Sequence, residues 1–238
     1  MHSLLEEALA HAYVRVFDVQ VPTLEFAQSI GEVFHARPNE DPVVTMKIEG
    51  NDALVTPYAS CRTAELSLHT DYATFLNPPR FTITHCIDPD PEFPVLGCSI
   101  IVQIDEVLAY LRKREPEVDR LLRNRCFPFR RNVEHEAHHD AEVPEFSILE
   151  GDLVRFDSTL VLPVLEQSRS PIRESMIHAV RRFEELCHSL GRRTEFALDR
   201  GEALITDNRR IIHSRGLCSV RNDGNGLVSR EVNLAFLV

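Results

Sequence analysis

Two short motifs far apart in the chain carry residue types that together could hold a metal ion. The first is His69-Thr70-Asp71 within LSLHTDYATFLNPPRF, and the second is His213 within ALITDNRRIIHSR. Two imidazoles and one carboxylate form the ligand set typical of a non-heme Fe(II) site, in which positions on the octahedral ion stay open. These residues therefore predict oxygen chemistry at a bound iron.

The residues around the first motif predict how its two ligands converge. Leu66 and Leu68 alternate with polar residues up to His69 and Asp71, which predicts a strand with one apolar face. In a strand, residues i and i+2 point to the same side. His69 and Asp71 are therefore expected to approach one ion together, while Leu66, Leu68 and Thr70 face the other way.

A His-x-Asp pair is a weak signal by itself, and the chain contains a second one at His138-His139-Asp140. The surrounding segment, NVEHEAHHDAEVPE, contains almost no apolar residues and shows no hydrophobic periodicity. We interpret the segment around 135–140 as a solvated loop rather than as a second metal site.

Composition excludes several classes of protein. The chain has 238 residues, of which 43% are hydrophobic and 26% charged, as in an ordinary soluble globular protein, and a net charge of -11. No basic patch favours nucleic acid, and no apolar run reaches the roughly 18 residues of a membrane span. The N-terminus lacks the features of a signal peptide, and the six cysteines form no C-x-x-C pair, so we expect free thiols and a cytoplasmic location.

Hydrophobic periodicity predicts a mainly β protein with inserted helices. The predicted strands are 43–48, 53–57, 80–87, 97–104, 152–157, 195–199, 203–207, 209–213 and 230–237, with a hairpin turn at 49–52. The predicted helices are 22–36, a segment capped by Asp105, a segment opened by Pro116, and 171–190 with Ser170 as N-cap. Strands towards both ends with helices between them favour an antiparallel sandwich of the jelly-roll type, which can bring positions 70 and 213 together.

Four pieces of sequence, in order, resemble the taurine-dioxygenase and clavaminate-synthase-like family of Fe(II)/2-oxoglutarate oxygenases. They are LSLHTDYATFLNPPRFTITHC, GCSIIVQIDEVLAYL, DRGEALITDNRRIIHSRG and the last strand from Arg230, and they span about three quarters of the chain. The resemblance implies a double-stranded β-helix and the use of Fe(II), 2-oxoglutarate and dioxygen. We expect one oxygenase domain over 1–238, with an N-terminal extension over 1–59 and a helical and loop insertion over 105–150.

The resemblance also implies the roles of individual residues. It assigns the metal to His69, Asp71 and His213, and the distal carboxylate of 2-oxoglutarate to Arg230. A planar guanidinium suits that role because it pairs a carboxylate through two hydrogen bonds. Arg215 and Arg221 are the alternatives.

The chain departs from the family at one strand. Where the family often has Gly-Gly-x-Thr, this chain has Gly97-Cys98-Ser99-Ile100. Ile100 has no donor for 2-oxoglutarate, and Ser99 replaces the missing Thr only after a shift of register.

The expected reaction is hydroxylation of an unactivated C–H bond in a small molecule. Desaturation or cyclisation with the same cofactors, a non-catalytic cupin-like binder and a hydrolytic zinc enzyme are the alternatives.

Strand alternation places Glu65 and Ser67 on the side of the metal ligands, and a carboxylate there favours an amino acid or another amine-bearing metabolite as the substrate. Glu65 is otherwise a surface acid or a partner of Arg62 or Arg80. The sequence indicates no oligomeric state.

Overall fold

A computed structural model of the chain describes residues 3–37, 40–50, 59–130, 144–224 and 226–238. The helices are α1 (Leu4–His11), α2 (Thr23–Ile30), α3 (Asp105–Arg114), α4 (Pro116–Asn124), α5 (Ser158–Gln167) and α6 (Arg173–Ser189), with a 3-10 turn at Ala59–Cys61. The strands of the first half are β1 (Tyr13–Val16), β2 (Val43–Lys47), β3 (Phe81–Asp88), β4 (Ser99–Gln103), β5 (Phe127–Pro128), β6 (Glu145–Phe146), β7 (Leu149–Glu150) and β8 (Leu153–Val154). Those of the second half are β9 (Arg192–Phe196), β10 (Ala203–Asp207), β11 (Ile211–Arg215), β12 (Val220–Asn222), β13 (Leu227–Ser229) and β14 (Glu231–Leu237).

Two antiparallel sheets form the centre of the protein. The larger has the order β1-β10-β3-β14-β2 and the smaller has the order β11-β4-β9. Leu204 of the larger sheet and Ile101 and Ile211 of the smaller belong to one buried cluster, so the sheets pack face to face. The structure therefore confirms the predicted antiparallel sandwich of two sheets.

Helices cover the outer face of each sheet. Phe81 and Ile83 of β3 pack with Phe26 of α2 in a second cluster, whereas helices α3 to α6 pack on Val102 and Ile212 of the smaller sheet. Side chains alternate between the two faces of β3. Phe81 and Ile83 therefore face the helices, whereas Thr82 and Thr84 line a cavity between the sheets. Among the described residues, no helix combines the length and the apolar composition needed to cross a membrane.

Several predicted elements match closely, while others end early for visible reasons. The predictions for β2, β3, β4, β10 and β14 are confirmed within two residues, and Pro116 opens α4 as expected. The helix predicted over 22–36 stops at Ile30, because Gly31 is extended and Val33 pairs with Leu237. The strand predicted over 152–157 is reduced to β8, because the main-chain N–H of Phe156 donates to the Thr70 hydroxyl and not to a neighbouring strand.

Two predicted helix caps are wrong. Asp105 is the first helical residue of α3, and its carboxylate pairs with Arg210 instead of capping. The α6 helix begins at Arg173 with Ile172 as its N-cap, and the Ser170 hydroxyl instead accepts the N–H of Ile172 in the turn before the helix. The strand predicted over 53–57 and the His138-His139-Asp140 motif lie outside the described residues. The division into a domain with an extension and an insertion stays a prediction.

Candidate metal centre

His69 and His213 are brought together by their main chains. Each donates its N–H to the other's carbonyl at 2.9 Å, and their ring centroids lie 4.4 Å apart. The strand predicted around His69 is wrong, since His69 forms only isolated bridges, one to His213 and one to Asp157. On the side opposite His213, Thr70 donates its N–H to the Phe156 carbonyl, and the chain then turns at Tyr72, which has φ +54°, so the pairing extends no further. The predicted facing is confirmed for Leu68, which packs in the core cluster with Ile212 and does not line the site. It is wrong for Leu66 and Thr70, which both lie in the wall of the cavity beside the site.

Asp71 points its carboxylate at the same place. Its Oδ2 accepts a hydrogen bond of 2.6 Å from the Thr82 hydroxyl and lies 3.5 Å from Nε2 of His213. Its main-chain N–H and carbonyl are both bonded to the side-chain amide of Asn208. Tyr72, which follows, adopts a left-handed conformation with φ +54° and turns the chain away.

The protonation states in this cluster suit metal ligands. Nδ1 of His69 lies 2.9 Å from the Ser67 carbonyl, which can only accept, so Nδ1 carries the proton and Nε2 keeps its lone pair. Burial and, next, the nearby His213 lower the pKa of His69. Burial alone would raise the pKa of Asp71, but the two histidines and the Thr82 hydroxyl outweigh it and hold that pKa well below its usual range. The site therefore presents a neutral His69 and an ionised Asp71 near neutral pH.

These three residues fit a divalent first-row metal ion. One potential ligand atom from each of His69, Asp71 and His213 lies within 4.8 Å of the others. Nδ1 of His213 is buried and has no hydrogen-bond partner among the described residues, and Nε2 of the same ring faces the Asp71 carboxylate. Two imidazoles and a carboxylate are the donor set that iron accepts with further positions open.

A cavity of about 820 Å³ opens from the three ligands between the two sheets. Its deeper wall includes inward residues of the larger sheet, namely Val44, Met46, Thr82, Thr84, Leu204, Thr206, Val232, Leu234 and Phe236. The volume lies within the range of about 300–1,000 Å³ typical of small-molecule sites. A small organic molecule can therefore lie beside a bound metal.

Arg230 also lines this cavity and is only 6% exposed. Its Nη2 donates to the Ser99 hydroxyl at 3.3 Å, and no carboxylate of the described residues forms a salt bridge with it. Burial is the main cause that lowers the pKa of Arg230. A buried cation without a protein anion is suited to an anionic ligand.

The two alternative arginines are less suited to this role. Arg215 lines the cavity, but its Nη1 and Nη2 already donate to the carbonyls of Gly216, Arg62 and Ala64. Arg221 is exposed on β12 and does not line the cavity.

Glu65 and Ser67 are exposed and line the mouth of the same cavity. Glu65 forms no salt bridge within the described part of the chain, and Arg80 pairs with Asp207 instead. Asp157 is a second carboxylate at the cavity wall, and its main chain bridges to His69.

Sequence reasoning missed Thr82, Asn208 and Asp157. Thr82 had a usable signal, because it alternates with Phe81 and Ile83 in a clean strand pattern and a polar inward residue there requires a partner. Asn208 follows β10 directly and Asp157 is the N-cap residue of α5, and only the three-dimensional fold brings them to the site.

Comparison of the sequence with known proteins identifies one family that matches most of the chain. The sequence profile of the family described as "Taurine catabolism dioxygenase TauD, TfdA family" matches residues 5–224. Dioxygenase str8 of Strobilurus tenacellus is 27% identical over 153 residues, which cover 63% of this chain and 34% of that protein. The chain thus spans about a third of the length of this curated relative.

Solved structures share the fold. Asparagine oxygenase in complex with Fe(II), (2S,3S)-3-hydroxyasparagine and succinate aligns with a TM-score of 0.66 at 20% identity, over 88% of this chain and 60% of that one. The non-heme iron oxygenase OrfP in complex with Fe and alpha-ketoglutaric acid aligns with a TM-score of 0.68 at 17% identity, over 99% and 78%. A variant of OrfP in complex with (3S)-hydroxy-L-Arg aligns with a TM-score of 0.73 at 17% identity, over 99% and 78%.

Proposed function

Because this chain belongs to the taurine catabolism dioxygenase TauD/TfdA family, we propose that it is an Fe(II)- and 2-oxoglutarate-dependent oxygenase of a small molecule. The observation that carries the proposal is the convergence of one ligand atom each from His69, Asp71 and His213. When bound, iron with 2-oxoglutarate and dioxygen supplies the oxidising power, and succinate and carbon dioxide are the co-products. We further propose that the two packed sheets are the double-stranded β-helix of this family.

Each side chain of the centre has a separate task. His69, through Nε2, His213 and the ionised Asp71 carboxylate bind the metal. The Ser67 carbonyl keeps the His69 ring oriented by accepting a hydrogen bond from Nδ1–H, and the Thr82 hydroxyl keeps one Asp71 oxygen in place by donating to it. Such outer partners of metal ligands fix orientation and raise affinity.

Arg230 binds the distal carboxylate of 2-oxoglutarate, with Ser99 as its neighbour. Support comes from the burial of Arg230, its place on the cavity wall and its lack of a salt bridge among the described residues. A fork of N–H donors in a site that excludes water gives strong, bidentate recognition of a carboxylate. The Ser99 hydroxyl, which accepts from Nη2, limits the positions that the guanidinium can take.

The proposed substrate is an amino acid or another small metabolite that carries an amine, and the proposed outcome is hydroxylation of an unactivated C–H bond. Two carboxylates, Glu65 and Asp157, lie at the cavity wall near the centre and favour a cationic group. Asparagine oxygenase and OrfP were crystallised with hydroxylated asparagine and arginine, respectively, which agrees with this class. Ser67 lies between Glu65 and His69 and can donate a hydrogen bond to the same molecule.

Oxygen-dependent succinate formation tests the proposal. The protein is loaded with Fe(II) without oxygen, mixed with 2-oxoglutarate and one member of a panel of amino acids, and then exposed to oxygen. We expect at least one amine-bearing compound to raise succinate release and to gain one oxygen atom by mass spectrometry. The matched control is the His69→Ala protein, which should give neither product. Binding of the compounds without succinate formation in the wild-type protein would instead identify a non-catalytic binder.

A further inference from the structure

The turn between β10 and β11 contains a side chain that is committed to the metal-binding segment. Asn208 is 1% exposed, and its Oδ1 accepts the N–H of Asp71 at 3.2 Å. Its Nδ2 donates to the Asp71 carbonyl at 3.1 Å and to the Pro79 carbonyl at 3.3 Å. One N–H donor and two carbonyl acceptors fix the orientation of the amide, because no flipped amide satisfies all three.

The main chain of Asp71 is therefore held on both sides of its Cα atom. The two bonds from Asn208 fix the peptide groups before and after that atom, and Tyr72 follows in a left-handed conformation. Thr82 holds the end of the same side chain through Oδ2 at 2.6 Å. The direction of the carboxylate thus depends on Asn208 at its base and on Thr82 at its tip.

Asn208 also connects the two ligand-bearing segments. The turn that contains it leads directly into β11, which carries His213. The segment with His69 and Asp71 is bonded to this region at His69, through the main chain of His213, and at Asp71, through Asn208. Without the second connection, Asp71 could shift relative to the two histidines while those histidines stayed paired.

From this geometry we propose that Asn208 is a positioning residue, which clamps the main chain of Asp71 to the turn before His213 and so sets the metal-binding geometry. The inference rests on the proposed function, because it assumes that Asp71 is a metal ligand. Within the Asp-Asn-Arg-Arg run before His213, it assigns a role to the asparagine, whereas Asp207 and Arg210 form the ion pairs described above. A ligand that is held within fractions of an ångström binds its ion more tightly than one that must be ordered on binding.

Co(II) alone is the probe for the test, because its visible absorption reports coordination geometry without oxygen or substrate. The variants are Asn208→Ala and Asn208→Asp, the second of which keeps the acceptor for Asp71 N–H and loses both donated bonds. The matched control is Asn233→Asp, an amide of β14 that bonds to Thr23 and Thr45 and does not line the cavity. Equilibrium dialysis gives the Co(II) dissociation constant, and circular dichroism confirms folding at the same temperature.

We expect both Asn208 variants to fold, to bind Co(II) at least about tenfold more weakly than the wild-type protein and to show an altered visible spectrum. The Asn233 control should keep the wild-type constant and spectrum. Wild-type affinity and spectrum in folded Asn208 variants would overturn the inference. Loss of the fold in both variants would also overturn it, because Asn208 would then stabilise the whole domain rather than position Asp71. If the wild-type protein itself binds no Co(II), the proposed function fails, and that result is separate from any difference between variants.

Discussion

His69 and His213 exchange two main-chain hydrogen bonds, one from each N–H to the other's carbonyl, and both are 2.9 Å long. This reciprocal pair sets the separation of the imidazoles without involving either side chain. Replacing a ring therefore leaves the local main-chain bonding intact, and the effect of such a change on metal binding can be separated from its effect on folding.

The first prediction concerns the metal ligands. His69→Ala, Asp71→Ala and His213→Ala should each retain the fold but lose metal affinity by more than about tenfold, because only two protein ligands remain. Iron content after desalting and 2-oxoglutarate turnover are the measurements. His178→Ala, which changes an exposed residue of α6, is the folded control and should behave as wild type. His138→Ala should also be unchanged, and an inactive His138 variant with an active His69 variant would refute the assignment.

The second prediction concerns the co-substrate. Arg230→Ala should raise the KM for 2-oxoglutarate by at least about 30-fold, because loss of a buried charge-assisted pair costs on the order of 2–5 kcal/mol. Iron content should stay near the wild-type value, which distinguishes this variant from the ligand variants. Arg221→Ala removes an exposed arginine and should leave KM unchanged. A wild-type KM in Arg230→Ala would transfer the role to Arg215.

The third prediction concerns the space that Arg230 occupies. Gly97 has φ +74°, and a Cβ atom there would lie 2.7 Å from Cβ of Asp90 and 3.0 Å from Cδ of Arg230. Gly97→Ala should therefore displace the arginine side chain, raise the KM for 2-oxoglutarate and lower the free energy of unfolding. Gly151→Ala is the matched control, because its φ is +60° but nothing lies within 4 Å of the added atom.

Both alanine variants carry the strain of a left-handed conformation, roughly 1–2 kcal/mol. Only Gly97→Ala should show a change in 2-oxoglutarate binding. Urea unfolding and steady-state kinetics measure the two effects, and equal behaviour of the two variants in both assays would contradict the prediction.

The sequence could predict the parts of the site that follow from alternation along single strands. Arg230, which directly precedes β14, and Val232 and Leu234 within it all line the cavity, as the alternating pattern indicates. Leu68 is buried opposite His69 for the same reason. A period of two depends only on the local extended backbone, so it survives even where the ladder around His69 does not form.

The sequence could not predict contacts that depend on how separate segments cross. The amide of Asn208 meets Asp71 only because a turn of the larger sheet lies beside the metal-binding segment. The strand expected to end at Asp157 stops early because the main-chain N–H of Phe156 donates to the Thr70 hydroxyl instead of to a partner strand. Such tertiary hydrogen bonds override local propensity and leave no period in the sequence.

The fourth prediction concerns stability and pH. His85 is 5% exposed, its Nδ1 lies 2.8 Å from the Thr23 hydroxyl, and burial lowers its pKa. A depressed folded-state pKa in a histidine means that the unfolded chain takes up the proton first as pH falls. The free energy of unfolding should therefore decrease as pH falls below the unfolded value of about 6.5, until the lowered folded pKa is passed.

Urea unfolding of the metal-free protein between neutral and mildly acidic pH measures this effect. His85→Gln keeps a hydrogen-bonding group beside Thr23 but cannot be protonated, so its stability should depend less on pH than that of the wild-type protein. Other titrating groups, including His69, are common to both proteins and cancel in the comparison. Identical pH dependence in the two proteins would exclude His85 as a contributor.

The fifth prediction concerns substrate charge. Glu65 is exposed at the cavity mouth, forms no salt bridge among the described residues and lies on the same segment as His69. If its carboxylate receives the amine of the substrate, Glu65→Gln should raise the substrate KM by about tenfold or more, while the KM for 2-oxoglutarate and the iron content stay constant. The effect should shrink at high ionic strength, because salt screens an interaction between exposed charges. Glu25→Gln, which removes an acid of α2 outside the cavity lining, is the control, and a wild-type substrate KM in Glu65→Gln would leave Asp157 as the carboxylate to test next.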